Sequence, residues 1–201
     1  MNIMPEYALY YIFVAAFVGY LLGSIPFGLV LTRMAGLGDI RKIGSGNIGA
    51  TNVLRTGNKF LALLTLLLDI GKGAIAVLIA EFLYPGLGIY AGCGTFLGHL
   101  YSIFLKFTGG KGVATFLGLM LALNPMVGLT SILSWLITAA IFRISSLSAL
   151  VAAIASPIAS LYLQQYKLAI VAILLCILIF IKHKDNIKRI INGDEPKIGK
   201  K

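Results

Sequence analysis

Carboxylates are scarce in this sequence. Its 201 residues include seven aspartates and glutamates against 17 lysines and arginines, with only two histidines and two cysteines. A hydrolytic metal centre draws on several Asp, Glu, His or Cys ligands, so neither a metal site nor another cofactor is expected. Cys93 and Cys176 fall inside apolar runs, where a disulfide framework or paired zinc motif is out of place, and both read as packing residues. Internal repeats are missing too, which removes the paired halves typical of many secondary transporters. The first apolar run, Ala8–Leu31, has no basic n-region and no small-residue cleavage site. It is expected to remain in the chain as a span.

What is present is apolar. Hydrophobic residues make up 59% of the chain and charged ones 12%, with a mean hydropathy of +0.94. That leaves too little polar surface for a soluble domain. The net charge of +10 is not gathered on a soluble domain or tail, so nucleic acid is not an expected partner. Membrane lipid is. The expectation is an all-α, polytopic transmembrane bundle, one domain over residues 1–192 with a mobile polar cytoplasmic tail at 193–201.

Runs long enough to cross about 30 Å of hydrocarbon occur near Ala8–Leu31, Phe60–Leu83, Leu87–Phe107, Pro125–Phe142, Leu147–Leu163 and Lys167–Ile181. Val113–Leu123 is only eleven residues, about 16 Å of helix. Counting it as a crossing gives seven spans with the N-terminus outside and the C-terminus cytoplasmic. It also places 15 of the 17 basic residues on the inner side, as orientation by short-loop lysine and arginine requires. A short fourth span needs its preceding loop, Thr108–Gly112, to be recessed, and backbone at that depth must line a cavity or be buried. The glycines at 86, 88, 92, 94 and 98 predict close helix packing around the third span.

The polar clusters lie on the predicted inner side. Gly44-Ser45-Gly46-Asn47-Ile48-Gly49-Ala50-Thr51-Asn52 is followed one turn later by Arg55. Such a loop offers main-chain N–H groups, hydroxyl and amide donors and a guanidinium to an anion; a plain glycine-rich turn is the alternative. Gly109-Gly110-Lys111-Gly112 sets an ammonium at the start of the short span, where helix dipole and charge both favour phosphate; an anchoring lysine is the other reading. Asp69 and Lys72 share a face of the second span, as a buried pair or with Lys72 turned toward phosphate. His99 reads as a packed histidine or a site residue. His183 and Asn186, three apart at the cytoplasmic boundary, suit a polyol or phosphate. Ser145 and Ser146 precede a span as helix caps or, for Ser146, as a donor. A phosphate-handling enzyme follows. A transporter would need a polar path outward, but the outer half offers little beyond Glu81, Asn124 and Lys167.

GSGNIGATN with Arg55, the DIGKG segment, GHLYSIFLKFTGGKGVAT and the closing HKDNI resemble, in order and spacing, the membrane-bound glycerol-3-phosphate acyltransferases of the PlsY family. The resemblance implies transfer of a fatty acyl group from acyl phosphate to the 1-hydroxyl of glycerol 3-phosphate. The products are lysophosphatidic acid and phosphate, in the first acylation of bacterial phospholipid synthesis. It implies a multi-pass protein of the bacterial cytoplasmic (inner) membrane with its active site facing the cytoplasm, and a soluble acyl-phosphate-forming enzyme as donor supplier. By this likeness Ser45, Asn47, Gly49, Thr51 and Asn52 bind donor phosphate, and Arg55, Lys111, Ser146, His183 and Asn186 position glycerol 3-phosphate. Ser45, Arg55, Lys111, His183 and Asn186 form the expected catalytic set, with Gly46, Ala50, Lys72, His99, Gly109, Gly110 and Gly112 among the substrate contacts. Acyl-CoA enzymes carry a His-x4-Asp dyad; here His99 leads to Phe104 and His183 to Lys188. A thioester donor is not expected, and with phosphate as leaving group no acyl-enzyme is needed.

Overall fold

The computed structural model describes residues 8–199, and all regular structure among them is helical. The first apolar run does not form one helix. It breaks into α1 (Ala8–Gly23) and α2 (Phe27–Met34) at Ser24–Pro26. Pro26 has no N–H to donate and pushes its predecessor out of the helical region. A loop and the short α3 (Ala50–Val53) lead to α4 (Lys59–Leu83), which starts where the Asn58 side chain accepts from Leu61 N at 3.0 Å. Glu81, one of the few polar residues of the outer half, accepts from Gly86 N and Gly88 N and so fastens the turn into α5 (Gly88–Leu100).

The third expected span, Leu87–Phe107, is shorter than the sequence suggested. After Leu100 the chain makes a single 3-10 turn, and Lys106 and Phe107 both take left-handed conformations, φ 51° and 61°. The chain then doubles back, with Gly109 N donating to Leu100 O and Gly110 N to His99 O. Apolar composition through Ile103–Phe107 concealed this hairpin. The short helix α6 (Val113–Leu123) follows, then α7 (Pro125–Phe142), α8 (Ser145–Tyr162), α9 (Tyr166–Lys182) and α10 (Lys184–Ile191). Asn124 caps α7 by accepting from Met126 N and Val127 N. Ser145 and Ser146 make no cap bond at α8, whose N-cap residue is Ile144. Their hydroxyls turn to other partners.

Inside and outside are inverted relative to a water-soluble protein. Phe13, Phe60, Leu67, Phe82, Ile137, Ile158 and Ile170 are exposed, whereas Thr32, Thr65, Thr95, Ser148, Ser156 and Ser160 are buried. Several buried hydroxyls donate to the carbonyl four residues back: Thr32 to Gly28, Thr65 to Leu61, Thr95 to Ala91 and Ser160 to Ser156. In this way they need no water. Among the described residues, four helical stretches are long and apolar enough to cross a bilayer, with α1 and α2 counted together; the pair α9–α10, bent by 65°, makes a fifth when taken as one span.

Close approach of backbones holds α5 in place. A Cβ on Gly94 would lie 2.0 Å from Ala16 O, and one on Gly98 would lie 2.1 Å from Tyr20 O; α1 answers with Gly19 against Ala91 and Gly23 against Thr95. Gly88 and Gly92 face Val77 of α4, while Gly86 serves a turn with φ 94°. Gly73 and Gly118 bring α4 and α6 together in the same manner. These contacts work by packing and need no hydrophobic driving force between helices.

Candidate active site

The glycine-rich loop is built from its own side chains. Asp39 accepts from Arg41 N and from both the Arg33 and Arg41 guanidinium groups, and the Arg41 bond holds its carboxyl well below the usual range. The chain then turns through Gly44 and Gly46, at φ 54° and 69°, values that glycine adopts without strain. Asn52, 1% exposed, is the hub. Its amide group donates to Ile40 O and Asn47 O, each at 2.7 Å. Its carbonyl oxygen accepts from Ser45 N at 3.2 Å and from the Arg55 guanidinium at 3.5 Å. The loop's shape, the Ser45 main chain and the Arg55 charge thus meet at one buried amide. Thr51 Oγ1 lies 3.0 Å from Ser145 Oγ, tying the loop to the start of α8.

Opposite stands the second glycine-rich loop. Its return alongside His99 and Leu100 puts Lys111 just ahead of α6, whose first N–H groups precede the Phe116 N to Gly112 O bond. Lys111 Nζ donates to Asn186 Oδ1. Burial lowers the affinity of this ammonium for its proton, and the nearby Glu195 carboxylate acts against that effect. His183 sits at the bend between α9 and α10 and points Nδ1 at Ile179 O, 2.7 Å away. A carbonyl only accepts, so the hydrogen belongs on Nδ1 and Nε2 carries a lone pair.

These groups surround one cavity of about 480 Å³. Ser45, Asn47, Gly49, Ala50, Thr51, Asn52, Arg55, His99, Lys111, Gly112, Ser146, His183 and Asn186 line it. Its other wall is apolar: Leu66 and Ile70 of α4, Val113 and Leu117 of α6, Ile132, Trp135 and Leu136 of α7. A polar, cationic end thus continues into a hydrocarbon-lined slot of a size suited to a small ligand with an apolar tail.

Four residues expected at the site stand off its walls. Gly46 lies against Arg41 O. Gly109 and Gly110 pack on His99 and Leu100 and support Lys111 from behind. Lys72 does not turn toward phosphate: its Nζ is 2.8 Å from Asp69 Oδ1 and donates to Ile25 O at 3.0 Å. The carbonyl offered by the α1–α2 break holds it away from the cavity. Among the described residues no group of three His, Cys, Asp or Glu side chains is placed to hold a metal.

The two acidic lining residues, Asp69 and Glu195, stood outside the expected site residues. Asp69 forms part of the cavity wall, though the sequence marked it only as a buried partner for Lys72. Glu195 lies in the segment expected as a mobile tail. Here that segment is docked as far as Gly199, while positions 200–201 lie outside the described residues. Glu195 Oε1 accepts from Ser146 Oγ at 2.7 Å and Asn186 Nδ2 at 2.5 Å, and Oε2 from Arg189 Nε at 2.6 Å. Burial raises its pKa, but these three bonds outweigh burial and hold it below the ordinary glutamate value. A single glutamate in a polar stretch gives no sequence signal of this role.

The family model for glycerol-3-phosphate acyltransferase matches residues 13–193. The chain belongs to the glycerol-3-phosphate acyltransferase family. It is therefore an acyltransferase, built as a multi-pass membrane protein. A glycerol-3-phosphate acyltransferase of Cereibacter sphaeroides (strain ATCC 17025 / ATH 2.4.3) is 61% identical over 185 residues, 92% of this chain and 88% of that one. Another, from Mesorhizobium japonicum, is 56% identical over 192 residues, 96% and 98% of the two chains. Among solved structures, the glycerol 3-phosphate form of PlsY (YgiH), an integral membrane glycerol 3-phosphate acyltransferase, superposes with a TM-score of 0.87 at 38% identity, covering 94% of this chain and 96% of that one. Its lysophosphatidic acid form gives 0.86 at 36% identity, covering 94% and 95%.

Proposed function

We propose that this acyltransferase moves a fatty acyl group from acyl phosphate to the 1-hydroxyl of glycerol 3-phosphate, releasing lysophosphatidic acid and inorganic phosphate. The observation that carries the reading is the cavity itself, whose Ser45, Arg55 and Lys111 end runs directly into the Leu66–Leu117–Trp135 wall. One end suits two phosphate groups and the other an acyl chain, and the related PlsY has forms named for glycerol 3-phosphate and for lysophosphatidic acid. Ser45 and the main chain of the first loop hold donor phosphate; Asn52, its amide protons spent on Ile40 O and Asn47 O, shapes that loop. Arg55, Lys111, Ser146, His183 and Asn186 hold glycerol 3-phosphate.

The hydroxyl oxygen attacks the acyl carbon, the new ester C–O bond forms and the C–O bond to phosphate breaks. The hydroxyl proton passes to a phosphate oxygen, so the reaction is substrate-assisted. Placement of the two substrates and stabilisation of developing negative charge by the loop donors supply the catalysis. No acyl-enzyme forms on Ser45, whose Oγ lies 3.5 Å from Asn52 Oδ1, a group that cannot act as a base. The protein crosses the bacterial inner membrane seven times, with N-terminus outside and cavity and C-terminus cytoplasmic. A soluble enzyme supplies acyl phosphate, and no cofactor takes part.

Purified protein mixed with acyl phosphate and glycerol 3-phosphate is expected to release phosphate and form lysophosphatidic acid, and acyl-CoA to give no product. Phosphate release unaffected by omission of glycerol 3-phosphate, or a radiolabelled acyl group trapped on Ser45, would overturn the proposal.

A further inference from the structure

Three ionisable side chains lie behind the second glycine-rich loop, nearly out of contact with anything but protein: Asp69 is 2% exposed, Lys72 3% and His99 4%. Buried ionisable groups inside a membrane protein are costly and call for a role. Lys72 accounts for part of this cost, since its ammonium meets Asp69 Oδ1 at 2.8 Å and Ile25 O at 3.0 Å. The pair does not explain His99. Its Nδ1 faces the same Asp69 oxygen at 3.6 Å, and its Nε2 abuts Gly110 so closely that a Cβ there would lie 2.2 Å away. The main chain of His99 grips the same residue, with Gly110 N donating to His99 O at 2.9 Å. Gly110 is thus seated against His99 by both backbone and ring, and Lys111 is the next residue.

We infer that Asp69 is a positioning residue for the acyltransferase reaction: it orients the His99 ring, which seats Gly110 and thereby aims Lys111 and the start of α6 at the phosphate of glycerol 3-phosphate. Lys72 is the counter-charge that allows Asp69 to remain ionised in the bundle and is not a substrate ligand. The inference rests on the reading of Lys111 as a glycerol 3-phosphate ligand. A loop built on glycines has little side-chain packing of its own to define it, so its aim must come from outside it. Support of this kind, acting through a neighbouring group, commonly sets affinity and rate by an order of magnitude.

The test separates positioning from charge balance. In the double variant D69N/K72M no buried charge is left unpaired, so the fold is expected to persist with a thermal midpoint close to that of the parent. KM for glycerol 3-phosphate is expected to rise about tenfold while KM for acyl phosphate stays within about twofold. H99Q, which leaves both charges in place, is expected to give the same split. Combining all three substitutions should add nothing further, because Asp69 acts through His99. A D69N/K72M protein with parental KM for glycerol 3-phosphate would reduce Asp69 to a counter-ion and overturn the inference. So would equal rises in both KM values with a lowered thermal midpoint, or a triple variant whose losses multiply. If D69N/K72M does not fold, H99Q decides by the same split. Glycerol 3-phosphate binding to the detergent-solubilised protein, measured calorimetrically, keeps the two readings apart. A parent that binds glycerol 3-phosphate but releases no phosphate sinks the acyl-transfer reading alone; weaker binding by H99Q still supports positioning, and unchanged binding overturns it.

Discussion

At the scale of single residues, the site divides into groups that face the substrate and groups that hold them. On the proposed function, Arg55 and Lys111, which line the cavity, belong to the first kind. Replacing either with alanine should lower kcat/KM at least about tenfold, equivalent to about 1.4 kcal/mol of transition-state binding. Steady-state phosphate-release kinetics would check this, and unchanged kinetics would remove the residue from the site. Asn52 belongs to the second kind. Its side chain hydrogen-bonds to Ile40 O, Asn47 O, Ser45 N and Oγ, and Arg55, and its loss leaves buried main-chain carbonyls unpaired at about 1–3 kcal/mol each. Asn52→Ala should therefore lower the thermal midpoint as well as activity, whereas Arg55→Ala, on a half-buried residue, should lower activity with little change in stability. The sequence displayed Asn52 and Arg55 in one motif with equal prominence. Which one holds and which one binds depended on where the Asn52 amide protons go.

At the scale of elements, two features govern the cavity. The first is the α1–α5 contact, in which Gly19, Gly23, Gly94 and Gly98 let main chains touch. Gly94→Val would put a Cβ 2.0 Å from Ala16 O and force α5, with His99 at its end, to shift. A lower thermal midpoint and weaker glycerol 3-phosphate binding are expected together, although Gly94 is remote from the cavity. The second is the C-terminal segment, pinned by Glu195 and by Ile198 N donating to Arg143 O. Since the Glu195 pKa is lowered on docking, the carboxylate stabilises the docked segment above the ordinary value of 4.5 and loses that effect as pH falls below it. Glu195→Gln imitates the protonated state and should speed tryptic cleavage after Lys197 at neutral pH; equal cleavage rates would deny the tail its anchor. Helix existence was legible here from apolar run length. The break at Pro26 and the hairpin after Leu100 were not read, because hydropathy reports solubility in lipid and is silent on where the chain reverses.

At the scale of the whole molecule, the charge distribution and the inverted packing point the same way. Arg55, Lys59, Lys111 and Lys197 gather at the cavity, and apolar side chains are exposed along the helices. If the proposed seven crossings hold, a cysteine placed at Lys167 should react with a membrane-impermeant thiol reagent in intact cells, while cysteines at Arg41 and Lys197 should react only after permeabilisation. Reaction at Arg41 in intact cells would reverse the orientation. The native Cys93 and Cys176 are half-buried and give the background to subtract.

Run length and composition by themselves determined that this chain is a helical membrane protein. Ordered motifs placed the chain, by resemblance, in one acyltransferase family, since such signals are local and survive without knowledge of neighbours. Only the tertiary structure decided that Lys72 turns away from the cavity toward Ile25 O, that Asp69 stands behind the Lys111 loop through His99, and that Glu195 reaches Ser146 and Asn186. Each of those contacts joins residues on different elements. In a bundle packed by glycine contacts, side-chain direction follows helix rotation and chain reversal, which no local pattern encodes.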